Sequence, residues 1–130
     1  MTREPAGLVL SFDDTRALLL DIIRRYPDNR NPLSDNGLIC LYTNAAGRHC
    51  LIGQLAYEQG WEMPSDTRQY LGAATQATDL RWPLSPEAVD LATYAQSVAD
   101  QRIKVGDPAR PAWGKLDHLV RVYRCTEPSL

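Results

Sequence analysis

Apolar residues first settle into a regular pattern at the start of the chain. Thr15, Leu18, Leu19, Ile22, Ile23 and Tyr26 recur at intervals of three and four, which puts them on one face of a helix over 12–26. Ser11 stands where a hydroxyl can accept from an early helical N–H, and Asp13 and Asp14 suit the positive end of the dipole. Arg24 and Arg25 suit the other end, and Pro27 stops the helix. Residues 1–7, which include Pro5 and Gly7, read as a loose lead-in. Leu8–Leu10 reads as a short strand or as the approach to the helix. From Pro27 to Gly37 the chain is dense in Pro, Asn, Asp and Gly, residues that favour turns, so it forms a loop of about eleven residues.

The period then changes. Leu38 to Thr43 has the β-forming composition of a strand, Asn44-Ala45-Ala46-Gly47 is a hairpin turn signal, and a short return strand follows. Helical spacing resumes at Cys50, with Leu51, Ile52, Leu55 and Ala56 on one side and Gly60 at the exit. Pro64-Ser65-Asp66 opens a short helix that runs to Gly72, and Ala73 to Leu84 reads as loop. Ser85-Pro86-Glu87 is a helix start, with Ser as cap and Pro at the first position, where its missing N–H costs nothing. Ala88, Leu91, Ala92, Ala95, Val98 and Ala99 line one face of helix 86–102, which Gly106-Asp107-Pro108 ends. In Pro111–Cys125, Trp113, Leu116, Leu119, Val120 and Tyr123 share a helical face, although Leu119–Cys125 also alternates as a strand would. Helix is favoured, because the period holds over ten residues. The expected fold is an α+β single domain over 1–130, mostly helical, with one small antiparallel β-hairpin packed on about four helices and loose termini at 1–7 and 126–130.

Composition narrows the class. At 130 residues, with 44% hydrophobic and 23% charged, the chain has the size and balance of one globular domain with a real core. No apolar run approaches a membrane span and no apolar leader opens the chain, so the expected location is cytoplasmic, with no membrane partner. Three cysteines cannot form a closed disulfide set. The hairpin register also places Cys40 opposite Leu51 and Cys50 opposite Leu41, which disfavours a bridge between the two cysteines. The net charge of −2 gives no global pull toward nucleic acid. Residues 102–124 do hold Arg102, Lys104, Arg110, Lys115, Arg121 and Arg124 against Asp107 and Asp117, a local balance of +4.

Cys50 is the sharpest chemical candidate, because a thiol at a helix N-terminus faces unpaired N–H groups that favour thiolate. A thiol enzyme would also need His118 as its base, with Asp117 as the orienting carboxylate. His49 neighbours Cys50 in an extended segment and so points to the opposite side. Packing is the competing role for Cys40 and Cys50, since free cysteine is commonly a small buried residue. No Cys-x-x-Cys or His-x-x-x-His pair seeds a metal site, and no metal or cofactor is expected. Trp61, Trp82 and Trp113 fill the core or its rim, or anchor a partner if exposed together. Arg121 and Arg124 flank Tyr123, a combination that can serve nucleic acid. Gly53 and Gly114, both in helical segments, suit close helix packing.

Two resemblances bear on these candidates. Cys-Leu-Ile-Gly-Gln-Leu-Ala-Tyr-Glu-Gln-Gly-Trp-Glu-Met-Pro, residues 50–64, is similar to the nucleophile helix of NlpC/P60-type cell-wall cysteine peptidases. That likeness implies catalysis by Cys50. The family places Ser-Gly directly after its cysteine, where this chain has Leu51-Ile52, and it carries its histidine on a strand. Over most of its length the chain resembles uncharacterised small proteins of actinobacteria and their phages, which implies a shared fold and origin. The reading favoured by the sequence is a non-enzymatic protein-interaction or regulatory protein with a protein partner. The alternatives are a Cys50-dependent hydrolase or transferase, and a nucleic-acid binder using segment 102–124.

Overall fold

The computed structural model describes residues 9–29, 42–43, 47–65, 72–101 and 112–126. Among these residues the chain forms five helices and no sheet, so the expected α+β fold with a β-hairpin is corrected to a helical one. The helices are α1 (Phe12–Arg25), α2 (Leu51–Gln59), α3 (Ala73–Asp79), α4 (Pro86–Gln101) and α5 (Asp117–Thr126), the last entered through a 3₁₀ turn at Trp113–Leu116. No helix is long and apolar enough to cross a membrane among the described residues.

Helices α1 and α4 form the centre. Helix α1 begins with a reciprocal cap: Ser11 Oγ accepts from Asp14 N–H at 3.0 Å, and Ser11 N–H donates to Asp14 Oδ2 at 3.2 Å. Helix α4 begins at Ser85, whose Oγ accepts from Ala88 N–H at 3.1 Å. The residues just before these caps pair with each other. Leu10 and Leu84 form an isolated parallel bridge, with Leu10 N–H donating to Pro83 O at 2.7 Å and Ser85 N–H to Leu10 O at 2.9 Å. Two helices distant in sequence therefore start side by side, each from a capping serine.

Helix α4 packs against every other helix and against the 3₁₀ turn. Its inward face is Ala88, Leu91, Ala92, Ala95 and Ala99, all buried. Small side chains let neighbouring helices approach on several sides, which fits α4 for this central position. Helix α1 turns Phe12, Thr15, Leu19, Leu20, Ile22 and Ile23 inward and packs on α2, α4 and α5. Helix α5 runs antiparallel to it, because Phe12 stacks on Tyr123 at one end while Tyr26 meets Trp113 edge-on at the other. The helical expectation for 111–125 holds over the described part, with the 3₁₀ turn as its entry.

The middle of the chain departs from expectation. Of the predicted strand Leu38–Thr43, residues 38–41 with Cys40 lie outside the described residues, as do 44–46 of the turn Asn44–Gly47. Among the described residues of the expected hairpin, Thr43 and His49 form an isolated antiparallel bridge, and Cys50 N–H donates to Tyr42 O at 3.1 Å. Cys50 is already the extended cap of α2, so the return strand ends after a single pair and the chain turns into helix. Ala73–Leu84, expected as loop, contains α3, whose Ala73 and Ala77 are buried and which packs on α4. Of the short helix expected from Pro64 to Gly72, the described residues Pro64, Ser65 and Gly72 are not helical and 66–71 fall outside the described set, as do 30–37 of the expected loop and 102–111 of the basic segment.

Helices α2 and α3 end alike. Gly60 takes φ of 76° and Trp61 N–H returns to Ala56 O at 2.9 Å; Arg81 takes φ of 56° and Trp82 N–H returns to Ala77 O at 3.0 Å. The two tryptophans that follow these left-handed residues meet at 5.6 Å between ring centroids. Trp82 Nε1–H donates to Glu62 O at 2.8 Å, which fixes the pair.

Two glycines mark close approaches of backbone to backbone. A Cβ added at Gly53 would overlap the Tyr42 carbonyl oxygen and lie 2.9 Å from its carbon. A Cβ at Gly114 would lie 3.0 Å from Pro27 Cβ and 3.1 Å from Pro27 O. The close packing expected of both glycines is present, although the neighbour in each case is a connecting segment rather than a helix. Gly53→Ala is expected to cost roughly 1–3 kcal/mol, the range for forced overpacking, and Gly114→Ala less, because the nearest atoms of Pro27 lie 3.0–3.1 Å from the added Cβ instead of overlapping it. Urea denaturation midpoints at unchanged slope measure both. Equal costs would show that Tyr42 moves aside freely.

Candidate functional site

Cys50 is where the sequence places its strongest chemistry, and the structure gives it a capping role. Its backbone is extended and its side chain 1% exposed, and Sγ accepts from Gly53 N–H at 3.2 Å. The next free donor of the helix start, Ile52 N–H, is taken by Gln96 Oε1 of α4 at 3.1 Å. Helix α2 therefore begins inside the protein, with the N–H groups of Ile52 and Gly53 satisfied by a buried amide and a thiol instead of water. Its core face is Leu51, Ile52, Leu55 and Ala56, each fully buried.

His118 does not join Cys50 in a nucleophile–base pair. It is exposed on α5, whose principal neighbours are α1, α4 and the 3₁₀ turn. Asp117, expected to orient it, instead holds Arg121: Arg121 Nη2 donates to Asp117 Oδ2 at 2.7 Å. That pair engages one of the two arginines proposed for nucleic acid, and Arg124 lies on α5 with its side chain outside the described set. Trp82 and Trp113 are buried, and Trp61 is half-buried against Trp82, so the three serve the core and its rim. The groups of His, Cys, Asp and Glu needed to hold a metal ion do not occur among the described residues.

The described surface carries one organised cluster that the sequence reading passed over, where the end of α1 meets the outer face of α2. Arg25 grips Glu58 with both terminal guanidinium nitrogens, Nη2 to Oε1 at 2.6 Å and Nη1 to Oε2 at 2.9 Å. Each partner is also held within its own helix at a spacing of four. Arg25 Nε donates to Asp21 Oδ2 at 2.9 Å, and Gln54 Nε2 donates to Glu58 Oε2 at 2.7 Å. The guanidinium lies over the Tyr26 ring at 5.1 Å. Next to Glu58 on the helix, Tyr57 stands 60% exposed with its ring stacked on His49, centroids 4.5 Å apart and planes 26° off parallel. His49 is fixed in turn by Thr43, with Nδ1 and Oγ1 2.6 Å apart.

The electrostatics follow this geometry. The Glu58 hydrogen bonds raise the Arg25 guanidinium above its ordinary value. Arg25 holds the Glu58 carboxyl below its own, outweighing partial burial. Burial lowers His49, against a backbone hydrogen bond at Tyr42 and the charge of Glu58. The spacing-four pairs Asp21–Arg25 and Gln54–Glu58 can be seen in the sequence. The link between them crosses 33 positions and belongs to the packing of α1 on α2.

Two predictions follow from this geometry. Cys50→Ala removes the acceptor for Gly53 N–H and is expected to cost about 0.5–2 kcal/mol, whereas Cys50→Ser retains a capping oxygen and most of the stability; denaturant midpoints compare them, and an Ala variant as stable as Ser removes the capping role. For Glu58 the folded-state pKa lies below the ordinary 4.5, so the contribution of its ion pair is complete above that value and is lost as pH falls through the folded one. Thermal melts through that acid range are expected to fall more steeply for the wild type than for Glu58→Gln, and equal slopes count against the clasp. Comparison of the chain with family models, curated proteins and solved structures found no match.

Proposed function

We propose that this chain is a non-enzymatic interaction or regulatory protein of the cytoplasm, and that it binds a protein partner through the face formed by Arg25, Tyr26, Tyr57, Glu58 and His49. The observation that carries this reading is the ordered exposure of Tyr57: its ring is largely open to solvent yet held flat on the His49 imidazole. A fixed aromatic side chain loses little conformational freedom when a partner covers it, so its contact area converts to affinity at low entropic cost. Arg25 beside it is similarly immobilised, by two carboxylates and a ring. Tyrosine and arginine are among the residue types enriched at the energetic centres of protein interfaces.

A capping role for Cys50 and core roles for Trp82 and Trp113 add weight to this reading, because the residues that could have served chemistry or anchoring have structural work elsewhere. The test compares partner binding by the wild type with Tyr57→Ala and Arg25→Ala. The tyrosine is exposed, so its replacement is expected to leave the melting transition nearly unmoved. A protein bound by the wild type is expected to lose about thirtyfold or more in affinity for Tyr57→Ala, the scale of a 2 kcal/mol anchor. A partner whose affinity is indifferent to both substitutions overturns this face as the binding surface.

A further inference from the structure

Tyr26 stands where α1 ends, and its ring has two neighbours of different kinds. The Arg25 guanidinium lies over it at 5.1 Å, and Arg25 Nη1 donates to the Tyr26 hydroxyl at 3.4 Å. The buried Trp113 meets it edge-on, with centroids 6.4 Å apart and planes at 85°. We infer that the entry of α5 supports the binding face from within: Trp113 and Gly114 are positioning residues that hold Tyr26, and through it Arg25, in the orientation a partner meets.

The support begins in the backbone. Tyr26 is the residue at which α1 stops being helical: its φ of −131° and ψ of 57° lie outside the helix, while its N–H still donates to Ile22 O at 3.0 Å. Its own carbonyl accepts from Asn29 N–H at 3.1 Å, so the chain turns directly after the helix. Two short hydrogen bonds tie this turn to the 3₁₀ turn before α5. Trp113 N–H donates to Asn29 O at 2.7 Å, and Gly114 N–H to Pro27 O at 2.6 Å. Gly114 permits the approach, because a Cβ there would lie 3.0 Å from Pro27 Cβ and 3.1 Å from Pro27 O. The path by which the chain leaves α1, and with it the direction of the Tyr26 ring, is therefore fixed at the entry of α5.

The second link runs from Tyr26 to Arg25. Arg25 is paired with Glu58 and Asp21, but the three side chains are open to solvent, at 39%, 24% and 62% exposure. Ion pairs so exposed hold long side chains weakly, because water competes for the same groups and salt screens their charges. The Tyr26 ring restrains the guanidinium differently. Its edge-on neighbour Trp113 is 1% exposed, so the ring is braced on the core and offers the cation a surface that does not move with solvent. Contacts thus run without a break from Glu58 at the surface through Arg25 and Tyr26 to Trp113 in the interior.

The use of this support in binding rests on the face proposed above, but the positioning itself is measurable on the full chain without a partner. The readout is the NMR order parameter of the Arg25 Nε–H, followed together with the Tyr26 ring signals. In the wild type it is expected close to the value of about 0.85 found for rigid backbone. In Tyr26→Leu it is expected to fall below about 0.6, although Glu58 and Asp21 are untouched. Tyr26→Phe retains the ring and is expected to retain most of the order. Gly114→Ala and Trp113→Phe alter no group that touches Arg25, yet both are expected to shift the Tyr26 ring signals and lower the Arg25 value. Arg16, which lies over Phe12 at the opposite end of α1, is expected to stay unchanged in each and so reports that the helix is intact. Arg25 as ordered in Tyr26→Leu as in the wild type overturns the inference, because the carboxylates then suffice. Arg25 order kept in every folded variant at positions 113 and 114 overturns it as well. Tyr26 is at the surface, so the first of these arms does not depend on the core variants folding. A partner indifferent to Tyr57→Ala would instead remove the binding face and leave this positioning standing.

Discussion

A helix that begins inside a protein must find acceptors for its first N–H groups, because water cannot reach them. Helix α2 meets this demand with Cys50 Sγ at one donor and Gln96 Oε1 at another. Much else depends on that solution. Gln96 must lie on α4 at the height where α2 starts, which sets how the two helices cross. Gly53 must lack a side chain so that α2 can approach the Tyr42 carbonyl. Once α2 is placed, its outer face brings Glu58 to the end of α1, and the clasp on Arg25 follows from the packing.

The same constraint explains why the sharpest chemical signal in the sequence turned out to be architectural. A cysteine opening a helix is the arrangement that lowers a thiol pKa when the helix end is open to solvent and to a base. Here the sulfur is buried and its lone pair is directed at Gly53 N–H. Residue type and position were legible from the chain; burial was not, because it depends on α4, more than 40 positions later.

Legibility elsewhere divides along the same line. The starts of α1 and α4 were evident because Ser11 and Ser85 act within one turn of their own helices. The alanine face of α4 was evident from periodicity, and its residues are buried except for half-buried Val98. Helix α3 was missed because Ala-Ala-Thr-Gln-Ala-Thr-Asp carries almost no apolar contrast, and its helicity is supported by packing on α4. The β-forming run ahead of Cys50 predicts a return strand that Cys50 cuts short by capping α2. In the candidate site, the intrahelical halves of the Arg25–Glu58 cluster were visible at spacing four, while their union and the Tyr57–His49 stack depend on tertiary placement.

The central position of α4 also bears on how the chain acquires its structure during synthesis. Residues 12–59 emerge from a ribosome well before the helix on which both α1 and α2 pack. Until Gln96 arrives, Ile52 N–H lacks its acceptor, and until Leu84 arrives, Leu10 has no bridge partner. Contacts between residues so far apart close slowly, because the entropy of a long loop must be lost before they form. Helices α1 and α2 can pack on each other beforehand, but the cover that α4 gives to both is absent until residues 84–101 become available. A nascent chain halted before that point offers chaperones an exposed, helix-forming substrate.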